Sequence, residues 1–106
     1  MSTGIRRLLG KTAAIKSGLR LAMGSFERTL QQLLSGTSDA NLSFDDLRQL
    51  LLRLGFEERT RGSHRMFRRS GVKELINLQK DGHQAKPYQV RQVRRIIVEY
   101  KLAGEI

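Results

Sequence analysis

Apolar residues recur at helical spacing in three stretches of the chain. Phe26, Leu30, Leu33 and Leu34 fall at i, i+4, i+7 and i+8, which lays them along one face of a helix that Gly36 is suited to end. After the polar connector "TSDAN", Phe44, Leu47, Leu50, Leu51 and Leu54 form a denser stripe. Ser43 stands where a side chain can accept from the free amides of the first turn. Asp46, three residues on, completes the pattern of a capping box, and Gly55 stops the helix. The third stretch opens at Pro87, whose missing N–H costs nothing at the first helical position. It turns Val90, Val93, Ile96, Ile97 and Tyr100 to one side, with Arg91, Arg94, Arg95 and Lys101 mostly on the other.

Between the second and third stretches the period changes. "FEERTR" (56–61), "SHRMFRR" (63–69) and "KELINLQ" (73–79) lack helical spacing and are separated by Gly62 and by Ser70-Gly71, which predicts a three-stranded antiparallel meander. One residue is too short for a hairpin loop, so the first turn is expected to take in the neighbours of Gly62. Alternation sends Leu75 one way and Ile76 and Leu78 the other. "KDGHQAK", which follows, reads as a polar loop. The same alternation puts His64, Met66 and Arg68 on one face and Ser63, Arg65 and Phe67 on the other, so a single helical layer cannot bury both Met66 and Phe67. The predicted fold class is α+β, a two-layer sandwich of order α-β-β-β-α with an added N-terminal helix. That order is shared with the double-stranded-RNA-binding fold and with many other small domains.

Charge sharpens the picture. The 106 residues suit one small domain, and 20 Lys+Arg against 10 Asp+Glu leave a net charge of +10. Such a balance favours an anionic partner: nucleic acid, an acidic protein or a membrane surface. Cysteine is absent, which removes disulfides, thiolate metal sites and a cysteine nucleophile and fits a reducing cytoplasm. No run of about 18 apolar residues is present, so no membrane-spanning helix is expected. Residues 1–22 carry Arg6, Arg7, Lys11, Lys16 and Arg20 and no acid. They read as a basic N-terminal extension: a frayed arm, or the result of a start placed ahead of a true beginning at Met23, rather than a transit peptide. The folded domain is expected to span 23–106.

The candidate chemistry lies in the meander. Arg59, Arg61, Arg65, Arg68, Arg69 and Lys73 follow one another without an acid between 59 and 73, and His64 stands among them. Cleavage of RNA without a metal needs a group to take the 2′ proton, a proton for the leaving oxygen, and cations to offset the growing negative charge. Histidine is suited to either proton task near pH 7. Taken alone, a strand histidine is more often a hydrogen-bonded or surface residue, and a run of cations more often a solvated face or a phosphate grip. Ser63 is most simply a turn residue that can also position a phosphate. The start of the last helix, with Lys86 before Pro87 and Arg91 one turn in, offers a second phosphate contact. The two histidines, His64 and His83, are far apart and not at ligand spacing, so neither a metal nor another cofactor is expected.

One family matches these motifs. "SFDDLRQLLLRLGFEERTRGSHRMFRR" resembles the opening of HicA-type toxins, the mRNA interferases of bacterial type II toxin–antitoxin systems. The resemblance rests on a leucine-rich helix ending in Leu54-Gly55-Phe56, a short charged strand, Gly62-Ser63-His64, and Phe67 three residues after the histidine. "KPYQVRQVRRII" is similar to the family's closing segment. The likeness covers roughly residues 43 to 101, about half the chain. It implies a double-stranded-RNA-binding-like fold and a small cytoplasmic ribonuclease that cleaves mRNA. It also implies His64 as the catalytic histidine and a HicB-type antitoxin as partner. Arg59, Arg61, Ser63, Arg65, Arg68, Lys73, Lys86 and Arg91 would then bind RNA. The chain departs from the family in its extra N-terminal residues and in "SGVKELINLQKDGHQAK". There many members have a glycine-rich basic hairpin and then "IP" before a second histidine, near which His83 lies. A non-catalytic RNA-binding or antitoxin-docking module of the same fold is the alternative.

Overall fold

The computed structural model describes residues 24–105; the basic extension at 1–22 lies outside the described residues. The fold is mixed α+β. Helix α1 (Ser25–Ser35) is followed by a 3-10 turn (Asp39–Asn41), α2 (Phe44–Arg53) and strands β1 (Glu57–Arg61), β2 (His64–Arg68) and β3 (Ile76–Leu78). Short strands β4 (Lys80–Asp81) and β5 (Gln84–Ala85), helix α3 (Pro87–Glu99) and a closing 3-10 turn (Leu102–Glu105) complete the chain. β1, β2 and β3 form an antiparallel sheet in that order, and β4 pairs with β5. Among the described residues no helix is long and apolar enough to cross a membrane.

Local chemistry sets the boundaries. The Ser43 hydroxyl accepts from the Asp46 N–H at 3.2 Å and opens α2. Gly36, at φ 71°, ends α1 in the left-handed conformation that glycine adopts without strain. Arg61 pairs with His64, so the first hairpin turns on Gly62 and Ser63, and Gly62 at φ 62° supplies the positive φ that so tight a turn requires.

"KDGHQAK" is a small hairpin rather than a plain loop. Its two strands hold two residues each, too few for alternation to reveal, and it is held by the residues 42–44 that lead into α2. The Phe44 N–H donates to the His83 carbonyl at 3.0 Å, the Ala85 N–H to the Leu42 carbonyl at 3.0 Å, and Ala85 is buried.

One core joins the layers. Phe67, Ile76 and Leu78 face inward from the sheet and pack with Leu47, Leu50 and Leu51 of α2 and with Val90, Val93, Ile96 and Ile97 of α3. Phe67 is fully buried and Met66, on the other face, is half-buried, which decides which of the two the helices cover. Helix α1 packs on α2 and α3, and Arg53 lies 5.1 Å from the centre of the Phe26 ring. The predicted stripe on α1 is shifted: Leu34 is 39% exposed while Thr29 is buried.

Two ion-paired clusters tie elements together. Arg94, which the helical pattern turns outward, lies across to Asp39 with a two-pronged contact (Nη1–Oδ1 2.7 Å, Nη2–Oδ2 3.1 Å) and also donates to the Leu33 carbonyl at 3.1 Å. It thus fastens α3 to the end of α1. Glu58 accepts from Arg48 at 2.6 Å and Arg65 at 2.9 Å, joining α2 to the first hairpin. The Arg94 hydrogen bond holds the Asp39 carboxyl below its ordinary range, and Arg48, then Arg65, does the same for Glu58.

Phe67→Ala should cost about 3–5 kcal/mol in urea unfolding, and Met66→Ala about 1 kcal/mol or less. The two carboxyls have folded pKa values below their unfolded ones, so their pairs add stability above about pH 4 and lose it as pH falls through the folded values. An Asp39→Asn, Glu58→Gln variant should therefore be about 1–3 kcal/mol less stable than the parent at neutral pH. That gap should close progressively as unfolding is repeated from about pH 5 down to pH 3.

Candidate functional site

Among the described residues no helix covers the face of the sheet opposite Phe67. Register places Glu57, Arg59 and Arg61 of β1 on it beside Arg68, Met66 and His64 of β2, with Asn77 of β3 across from Met66. Leu75, just before β3, is 43% exposed. Arg59, Arg61 and Arg68 are exposed; His64, Met66 and Asn77 are half-buried. Among the described residues the ion pairs engage Arg48, Arg65, Arg69 and Arg94, and leave the three arginines of this face available to an anion. Glu57 is the acid among them.

His64 begins β2 and stands beside Arg61 across the turn. Its Nδ1 lies 3.0 Å from Oδ1 of Asn77, a diagonal neighbour on the same face. A groove of about 500 Å³ runs along this face between Arg59, Arg61, Met66, Arg68 and Leu75. A second, of about 770 Å³, continues from Arg68 and Leu75 past Arg69 to Lys73. His64 lines neither groove; it sits on the sheet beside the Arg61 end of the first.

The structure gathers some of the sequence-predicted residues and separates others. Arg59, Arg61 and Arg68 share the face with His64, and Lys73 joins them at the far end, its N–H donating to the Tyr100 hydroxyl at 3.2 Å. Arg65 points to the helical side, held by Glu58. Ser63 occupies the turn, where its hydroxyl accepts from the Gln79 amide at 3.4 Å. Lys86 donates to the same Gln79 at 3.2 Å, so Ser63 and Lys86 form a separate cluster at the start of α3. Arg91 is exposed on α3. His83 is exposed in the β4–β5 turn, beside the start of α2.

Three polar residues escape a reading by residue type. Asn77 shares the face of Leu75 by simple alternation, and an asparagine inside a strand is uncommon enough to mark the position. Gln89 is 3% exposed, and its side-chain oxygen accepts from the Gln79 N–H at 2.8 Å. Its signal is the helical period, since it lies one turn before Val93 on the core side. Gln79, which joins Ser63, Lys86 and Gln89, carries no signal that spacing alone can supply.

The arrangement offers the His64 imidazole and a row of guanidinium groups without an ion-pair partner among the described residues, beside the partly apolar Met66 and Leu75. It can hold a polyanion and move a proton at one point along it. Among the described residues no three His, Asp or Glu side chains gather as metal ligands do. Compared with protein-family models, curated proteins and solved structures, the chain matches none.

The division between paired and unpaired arginines has a measurable consequence. Arg65→Ala should cost about 1–2 kcal/mol in urea unfolding, because it takes from Glu58 one of its two partners. Arg59→Ala, Arg61→Ala and Arg68→Ala should each stay within about 0.5 kcal/mol of the parent.

Proposed function

We propose that the protein is an endoribonuclease of the HicA type, a toxin that cleaves mRNA on the open face of the sheet and is silenced by a HicB-type antitoxin. In this reading the order α2-β1-β2-β3-α3 is a double-stranded-RNA-binding-like core. The observation that carries the proposal is the setting of His64: half-exposed on the face that the described helices leave open, bonded through one ring nitrogen, with Arg59, Arg61 and Arg68 on the same face. The likeness of Gly62-Ser63-His64 and its flanking segments to that family supports the same reading.

The chemistry follows from these groups. His64 takes the proton of a ribose 2′-hydroxyl as its oxygen attacks the adjacent phosphorus. The arginines hold the flanking phosphates and offset the charge that gathers on the non-bridging oxygens. The face is open to water, which protonates the departing 5′-oxygen. The products are a 2′,3′-cyclic phosphate and a 5′-hydroxyl, and no step requires a metal.

One observation favours the binding-module reading: His83, the chain's other histidine, stands in the β4–β5 turn beside the start of α2 rather than on the strands of this face. Incubation of the parent and His64→Ala with a mixed transcript in chelator separates the two. The proposal expects fragments ending in cyclic phosphate from the parent and a loss on the order of 10²-fold or more in the variant, with RNA affinity unchanged. Arg59→Ala and Arg68→Ala should weaken RNA binding and each lower the slope of log affinity against log salt by about 1. Equal rates from parent and His64→Ala, or binding without fragments, would leave a non-catalytic module.

A further inference from the structure

We infer that Asn77 is a positioning residue whose side-chain oxygen fixes the His64 ring with its proton on Nδ1, leaving Nε2 as the nitrogen that exchanges a proton on the open face. The second half of this inference rests on the reading of His64 given above; the first half does not. The contact itself is the starting point: Nδ1 and Oδ1 are 3.0 Å apart. An amide oxygen can only accept, so a ring bonded to it must donate from Nδ1, and its other nitrogen carries a lone pair. Imidazole in water prefers its proton on Nε2, so this tautomer has to be imposed by a partner.

Asn77 is well placed to impose it. Its chain neighbours Ile76 and Leu78 are fully buried, so the β3 backbone cannot shift without opening the core. The next residue, Gln79, is fastened through its N–H to the buried Gln89 side chain at 2.8 Å. Pairing of Asn77 with Met66 fixes the position from the other side. The amide is therefore presented from a rigid support, as orientation to within a few tenths of an ångström requires.

The choice of an amide fits the charge of the face. A carboxylate at position 77 would orient the ring equally well. It would also place a negative charge on the same face as Arg59, with one strand between them: Met66 is the partner of both Arg59 and Asn77. Such a charge would draw arginines away from phosphate. Asparagine orients the ring and leaves the face cationic.

The test uses the full chain, ¹⁵N spectra of the histidine rings, and RNA cleavage. The parent ring of His64 should carry its proton on Nδ1. Asn77→Leu should move it toward Nε2 and lower kcat on the order of 10²-fold, with little change in KM and an unaltered unfolding curve. Asn77→Asp should restore both the Nδ1–H tautomer and kcat while raising KM, a split that simple loss of structure would not produce. A parent ring protonated on Nε2 would mean that the amide NH₂ faces the ring, and would overturn the inference. So would a tautomer and kcat that ignore Asn77→Leu. Were Asn77→Leu to unfold, the Asn77→Asp spectrum and kinetics would decide alone. Were the parent not to cleave RNA, the proposed activity would fall and the proton-exchange half with it, while the ring spectra would still decide whether Asn77 sets the tautomer.

Discussion

Burial of Phe67 is the constraint on which the layout depends. A three-stranded sheet with one layer of helices can cover one face only, and side chains along β2 change face at every residue. With Phe67 inside, beside Ile76 and Leu78, the residues on either side of it must lie outside. A slip of one residue would turn His64 and Arg68 toward the leucines of α2 and desolvate them without partners, a far greater cost than any gain from Met66. The hydrophobic term, about 2–3 kcal/mol for a side chain of this size, therefore also aims the polar side chains of the opposite face. Gly62 supports the same register from the turn.

The arginines divide into two populations with different physics. Arg48, Arg65 and Arg94 sit partly out of water, and each reaches a carboxylate that it also needs for its own solvation. Arg94 adds a carbonyl at the end of α1, so one guanidinium satisfies an ionic partner and a helix terminus together. These groups spend their charge inside the molecule. Arg59, Arg61 and Arg68 are exposed, and their charge remains directed outward. A net charge of +10 thus overstates the share open to a ligand on the sheet face and says nothing of where that share lies.

Much of this was legible in the sequence because it follows from local rules. The leucine and valine stripes, the Ser43 cap, the glycine stops and Pro87 each act within a few residues, and the helices begin and end where they indicate. Alternation alone separates Ile76 and Leu78 from Leu75. What was not legible depends on distant partners. Arg94 meets an aspartate 55 residues away, and Glu58 draws Arg65 to the helical side through contacts that residue type does not announce. The contact between His64 and Asn77, 13 residues apart, needs the exact pairing of β2 with β3, which the irregular connection at 69–75 does not announce. The β4–β5 hairpin was hidden because its order is borrowed from the residues 42–44 ahead of and opening α2 rather than held by its own pattern.

The strict separation of the two faces also bears on how such a chain can change. Side chains at 59, 61, 66, 68 and 77 lie apart from the packing that keeps the domain folded. They can be exchanged singly for others of different size or charge at little cost in stability. A ligand preference written on that face can therefore be rewritten residue by residue, while the side that carries Phe67 admits change only when several positions move together. The scaffold is conservative on one surface and free on the other, and the boundary between them is no thicker than a single strand.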